Sequence, residues 1–195
     1  MKKAIAHHKA ADYLDWNEAE SLVERLIKDG KKRIALLFSA CMFTGLRFSD
    51  AIQLTYEDLL SQTITIREKK TGKERVIKVD KELGNITKRC MPGDLFKSDI
   101  KAFYVKGKPI TIQGYNIALK TFKRRYGLNV ENISSHSGRK CYGRRFYEMS
   151  GKSDYSLLLL AEDFRHSSAL ITRRYLGITK SEISSITSNL SGRNL

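Results

Sequence analysis

Apolar residues recur at helical spacing along most of the chain, with one short interval where the period falls to two. Leu22, Val23, Leu26 and Ile27 make the first stripe, behind Asp15 and Glu18, which are spaced as a capping box. "DGKK" at 29–32 ends that helix. "RIALLFSACMFTG" is apolar nearly all round and predicts a buried central helix stopping at Gly45. "RFSDAIQL" starts another helix, with Ser49 as its cap. In "TITIREKKTGKERVIKV", Ile64 and Ile66 alternate with polar residues, Val76 and Val79 less cleanly, and Thr71-Gly72 predicts a hairpin turn between the runs. From 111 onward helices return. Tyr115, Leu119, Phe122 and Tyr126 form one stripe, and "SGRKCYGRRFYEM" and "DYSLLLLAEDF" are two more helical segments. The expected fold is mainly α with a small antiparallel β-hairpin or sheet.

The same pattern divides the chain into a basic N-terminal arm over 1–14, a body over 15–180 and a tail helix over 181–195. Ile183, Ile186 and Leu190 share one face of that tail, with Ser181 as its cap. A helix this short must dock to be ordered, on its own domain or on a neighbouring protomer.

Charge changes the picture more than composition does. Against 21 Asp+Glu stand 36 Lys+Arg, a net +15 over 195 residues, which calls for a polyanionic partner. Apolar runs such as "LLLLA" at 157–161 are far too short to span a bilayer, and the N-terminus lacks a signal-peptide core. Nucleic acid is therefore the expected partner rather than a membrane. Cys41, Cys90 and Cys141 are odd in number and far apart, which fits a reducing cytoplasm better than a disulfide framework or zinc knuckles. His7-His8 has no third metal ligand at useful spacing. "GKS" at 151–153 is not a phosphate loop, because Phe146 stands where the leading glycine belongs. No cofactor or metal is expected.

Candidate chemistry is scattered. Arg47, in "TGLRFSDAIQL", follows the end of the apolar helix, where a guanidinium can grip a phosphate through parallel hydrogen bonds. Asp50 is placed to orient that fork, although the pair also fits an ordinary helix linkage. His136 and Arg139, in "HSGR", are neighbours on one face if helical, yet a solvated basic face would look the same. Lys70 at the hairpin tip is either a proton donor reaching into a cleft or a solvated turn residue. His166 and Tyr175 lie nine residues apart in "RHSSALITRRYLG". A phenol near its ordinary pKa is a poor nucleophile; Arg173 and Arg174 beside it are expected to lower that barrier.

Taken together and in this order, Arg47, Lys70, His136-x-x-Arg139, His166 and Tyr175 resemble the tyrosine recombinase family, also called phage integrases. The resemblance covers about residues 15 to 180 and implies that family's catalytic-domain fold. It departs where the family has glycine before the third-box histidine and this chain has Arg165, which should alter the local backbone. The chain also has no room for the N-terminal clamp domain of most members, so it is similar either to the short fimbrial phase-switch recombinases or to an excised integrase catalytic domain.

The resemblance implies a site-specific DNA recombinase that works through a 3′-phosphotyrosyl intermediate without metal or ATP. Tyr175 is the implied nucleophile, Arg47, Arg139 and His166 hold the phosphate, and Lys70 is the acid for the leaving 5′-oxygen. His136 orients the phosphate or takes the tyrosine proton. Expected partners are double-stranded DNA and further copies of the chain, assembling as a tetramer on paired sites at the nucleoid in the cytoplasm. The alternatives are a DNA relaxer of the topoisomerase IB kind, which rejoins the original strand, and a non-catalytic DNA-binding regulator with the same fold.

Overall fold

A computed structural model describes residues 11–70, 72–93, 99–178 and 187. Its centre is the helix that the apolar run predicts. α2 (Lys32–Thr44) buries every residue from Ala35 to Met42 and packs against α1 (Trp16–Lys28), α5 (Lys81–Cys90) and α7 (Ser137–Met149). A helix surrounded on all sides has no polar face to spare, hence its uniform composition. It stops at Gly45, whose φ of 65° is left-handed and whose N–H bonds to the Cys41 carbonyl at 3.1 Å.

The capping expectations need correction. Asp15 precedes α1 but makes no side-chain cap, and Glu18 accepts from the Asn129 N–H at 2.8 Å, a tie across the fold. Ser49 lies inside the short helix α3 (Phe48–Ala51), which begins directly after Arg47. A capping box does form at α4 (Tyr56–Leu60), between Thr55 and Asp58.

The period-two interval is an antiparallel pair, β1 (Thr63–Arg67) and β2 (Glu74–Lys78), with Thr63 opposite Lys78 and Arg67 opposite Glu74. Its second strand runs one residue out of phase with the expectation. Arg75 and Ile77 face inward, while Val76 is 62% exposed. An arginine can take the inner face because carboxylates meet it there, as described below. The connection is also longer than a two-residue turn. Glu68 and Lys73 close it through the Glu68 N–H and the Lys73 carbonyl at 3.0 Å, and Gly72 has a φ of 67°. Thr71 lies outside the described residues.

After α5 comes a minimal pair, β3 (Tyr104–Val105) and β4 (Lys108–Pro109), then α6 (Ile112–Tyr126), which buries Tyr115, Leu119 and Phe122 as its stripe requires. α8 (Asp154–Asp163) and α9 (Ala169–Leu176) pack with the far side of α7. Tyr147, Leu157, Leu160, Phe164, Leu176 and Ile178 form a satellite core there, apart from the main one around α2. α7 belongs to both. Gly138 brings it against α2, where an added Cβ would come within 3.0 Å of the Phe38 carbonyl, and Gly143 brings it against Phe164 and Leu176.

Asp12–Leu14 is fastened to the body: Leu14 is 2% exposed, and the Asp12 N–H donates to the Asn132 carbonyl at 2.8 Å. Residues 1–10 and, apart from Thr187, the tail at 181–195 lie outside the described residues. Among the described residues no helix is long and apolar enough to cross a membrane.

Candidate active site

A carbonyl oxygen is the geometric hub. Phe164 ends α8, and its carbonyl accepts from Arg47 Nη2 at 3.0 Å and from Arg139 Nη2 at 3.0 Å. The ends of three helices meet there, those of α2 and α8 and the start of α7. Arg47 extends from the corner after Gly45. Arg139, 2% exposed in the first turn of α7, also donates through Nη1 to the Gly45 carbonyl and lies with its Cζ 3.9 Å above the Phe164 ring. Each guanidinium carries five N–H donors, so both keep donors for a further oxygen ligand. Burial first of all pushes the Arg139 pKa down to about 10; Tyr175 pulls it up, and Arg47 pushes it further down. Arg139 thus remains cationic at neutral pH.

Asp50 does not orient Arg47. It is 1% exposed and accepts the Lys69 N–H at 3.0 Å, pinning the hairpin connection to α3. The oxygen behind Arg47 belongs instead to Glu68, whose Oε2 lies 3.3 Å from Arg47 Nη1. Reading the sequence for motifs misses Glu68. The signal was the alternation itself, since Ile64, Ile66 and Glu68 continue one inward face.

Lys70 is exposed, next in the chain to the pinned Lys69. It is close enough that its charge helps to depress the His166 pKa. His166 is half-buried, and its Nδ1 is 2.9 Å from Thr172 Oγ1. Its pKa is pushed down to about 4, by burial first and then by Arg139, Arg47 and Lys70, so the ring is neutral at physiological pH.

Arg165, just before it, has a φ of 54°, a conformation that suits glycine. The arginine adopts this left-handed turn, and its Nη2 donates to the Glu74 carbonyl at 2.9 Å. His136 is exposed at the N-cap of α7 rather than within the helix. Packing around the ring, then Arg139, Lys140 and Arg47, hold its pKa below the usual histidine value.

Tyr175 completes the site from α9. Its ring is 5.4 Å from that of His166 and 6.4 Å from that of His136, edge-on to both. The hydroxyl is buried and has no well-formed hydrogen bond among the described residues, although Arg139 lies beside it. Its pKa is pushed up to about 12, with burial outweighing the pull of Arg139 and Arg47. The rise is opposite to the expected lowering, and the guanidiniums that pull the value down are those of Arg139 and Arg47. Lys140 Nζ sits 5.1 Å from the centre of the Tyr175 ring.

The three cysteines are free and buried; burial pushes Cys41 and Cys141 up to about 12 and Cys90 to about 11, so none is a ready thiolate. Among the described residues no group of histidine, cysteine and carboxylate side chains is arranged to hold a metal ion.

Two arginine forks share one carbonyl, and beside them two histidine rings lie edge-on to a buried phenol. The sequence profile of the phage integrase family matches residues 12–182. The chain belongs to the phage integrase family. Its fold is similar to that of XerH site-specific recombinase bound to a palindromic difH substrate in a post-cleavage complex, at a TM-score of 0.64 and 22% identity, covering 95% of this chain and 54% of XerH. XerA recombinase is similar at 0.64 and 17%, covering 95% and 66%. The catalytic domain of the bacteriophage HP1 integrase is similar at 0.54 and 20%, covering 95% of this chain and 99% of that domain. No curated protein sequence matches the chain. This phage integrase family member thus spans about half to two thirds of the XerH and XerA chains and nearly all of the HP1 catalytic domain.

Proposed function

We propose that this family member is a site-specific DNA recombinase in which Tyr175 attacks a phosphodiester of duplex DNA, forming a 3′-phosphotyrosyl bond and releasing a 5′-hydroxyl. The observation that carries the reading is the pairing of Arg47 and Arg139 on the Phe164 carbonyl, beside His166 and Tyr175. A phosphoryl transition state spreads negative charge over its equatorial oxygens, and fixed donors already aimed there lower the barrier without reorganising. Arg47 and Arg139 are such donors. In the tautomer whose Nδ1 accepts from the Thr172 hydroxyl, neutral His166 carries its proton on Nε2 and can give a further hydrogen bond to the phosphate.

At a pKa of about 12 the Tyr175 phenol must lose its proton as it attacks, and neutral His136 is the group at hand to take it. Lys70 protonates the leaving 5′-oxygen. The phosphotyrosine conserves the energy of the broken bond, and attack by a 5′-hydroxyl from another strand completes the exchange. Supporting this substrate are the +15 charge and the likeness to XerH, which is seen bound to difH after cleavage. Assembly on paired sites, at the nucleoid in the cytoplasm, follows from the same reading.

The test is a nicked suicide substrate carrying the target site. The wild-type chain should become covalently attached to DNA, and Tyr175→Phe should not, while binding DNA within about threefold because only an oxygen is lost. Continued adduct formation by the variant would remove Tyr175 from its role. Exchange between two sites separates a recombinase from a relaxer.

A further inference from the structure

Glu68 is a carboxylate that water does not reach: its side chain is 0% exposed. A buried charge is tolerated only when paired and held by hydrogen bonds. Glu68 stands between two arginines, with Oε2 at 3.3 Å from Arg47 Nη1 and Oε1 at 3.8 Å from Arg75 Nη1. Arg75 is itself fixed, its Nη2 donating to Asp163 Oδ1 at 2.7 Å and to the Thr44 carbonyl at 3.1 Å. Asp163 directly precedes Phe164, whose carbonyl holds the other end of the Arg47 fork. The end of α2, the end of α8 and the end of β1 are thereby joined through Glu68 and Arg75, and Arg47 is clamped at both terminal nitrogens.

We propose that Glu68, backed by Arg75 and Asp163, is a positioning residue that holds the Arg47 fork in the orientation needed by the phosphate. The chemical part of this proposal rests on the recombinase reading above; the clamp itself does not. Glu68 also closes the segment carrying Lys70, since its N–H bonds to the Lys73 carbonyl and its carbonyl accepts the Gly72 N–H at 2.8 Å. The arginine and the lysine are thus set by one anchor.

A positioning role differs from competition. Were Glu68 occupying the fork in place of the phosphate, its removal would tighten binding and speed cleavage. Arg47 commits one N–H of Nη1 to Glu68 and one of Nη2 to Phe164, which leaves three donors for a ligand. Loss of Glu68 should therefore free the fork to wander, and misplacement by about 1 Å costs on the order of a hundredfold in rate.

The experiment has two arms. In the first, without DNA, the Arg47 side-chain Nε–H signal is followed by ¹⁵N NMR, assigned from an Arg47→Lys sample. It should shift and broaden in Glu68→Ala and stay close to wild type in Glu68→Gln, which keeps an acceptor oxygen. In the second, single-turnover cleavage of the suicide substrate is measured at saturating DNA.

Glu68→Ala should lower the rate about 30- to 100-fold with DNA affinity changed less than about threefold, and Glu68→Gln by about 3- to 10-fold. In an Arg47→Lys background the further loss from Glu68→Ala should shrink to less than about threefold, because the group being positioned is gone. An unchanged Arg47 signal, faster cleavage, or an undiminished loss in the Arg47→Lys background would overturn the proposal. Should Glu68→Ala not fold, Glu68→Gln decides through cleavage alone: a wild-type rate, or the same loss of about 3- to 10-fold persisting in the Arg47→Lys background, would overturn the proposal. Absence of any adduct from the wild-type chain would defeat the recombinase reading while the NMR arm still decided whether Glu68 holds Arg47.

Discussion

Gly143 has no side chain to offer a substrate, yet its replacement should impair cleavage more than stability. It sits in α7 on the side facing the satellite core, and a Cβ there would lie 2.7 Å from Leu176 Cδ2 and 3.1 Å from Phe164 Cε2 and Cζ. Carbon atoms rest at about 3.5–4.0 Å, so α9 or the Phe164 segment must give way by roughly 0.5 to 1 Å in Gly143→Ala. Leu176 and Phe164 are both fully buried, so neither can turn out into solvent without losing its packing. Overpacking of this kind costs about 1–3 kcal/mol. The gain in helix propensity from glycine to alanine offsets about 1 kcal/mol of it, leaving a net loss of about 0–2 kcal/mol.

The parts displaced, however, are the carbonyl that gathers Arg47 and Arg139 and the residue adjoining Tyr175. A shift on that scale should slow cleavage by about 10- to 100-fold. Stability would be read from urea denaturation and cleavage from single turnover on the suicide substrate. Ile86→Val, in the main core on α5, serves as the control, expected to lose about 0.5–1.5 kcal/mol and to cleave at the wild-type rate. Wild-type cleavage by Gly143→Ala, or the same loss in both variants, would refute the reasoning.

Further outcomes follow from the same geometry. Lys70→Ala should cleave slowly on a normal substrate and recover on a 5′-phosphorothiolate, whose sulfur leaves without a proton; equal deficits on both would remove Lys70 from the acid role. Because the folded state holds His166 at about 4 against an ordinary 6.5, the unfolded chain takes up a proton first as the pH falls. Stability from this group is therefore complete above pH 6.5 and is lost on descending from there towards 4. His166→Gln should flatten that fall by on the order of 1–2 kcal/mol, less than the full shift because the ring is partly solvated, as urea midpoints at pH 7.5 and 5 would show. Binding that engages about six phosphates should weaken with a slope of roughly −5 in log K against log salt, and a flat response would mean that the +15 charge is not a DNA footprint.

What the chain's order of residues determined by itself is the local and the chemical. The apolar run of α2, its stop at Gly45, the stripe of α6 and the extent of α7 are legible because burial on all sides, a left-handed cap and a helical period each leave a signature within a few neighbouring residues. The same holds for the candidate set from Arg47 to Tyr175, which is recognisable as an ordered series of residue types. Only the tertiary structure decided which groups hold those residues. Asp50 is nearest to Arg47 in sequence, but Glu68 holds the fork, because the hairpin folds back over the corner after α2. Arg75 takes an inward position that its neighbour Val76 fits better by pattern, since Glu68 and Asp163, at sequence distances of 7 and 88 residues, meet its charge there. Arg173 and Arg174 adjoin Tyr175 in the chain, while Arg139 and Arg47 act on its phenol. Charge acts through space and through the water that burial removes, and neither is a property of neighbours along the chain.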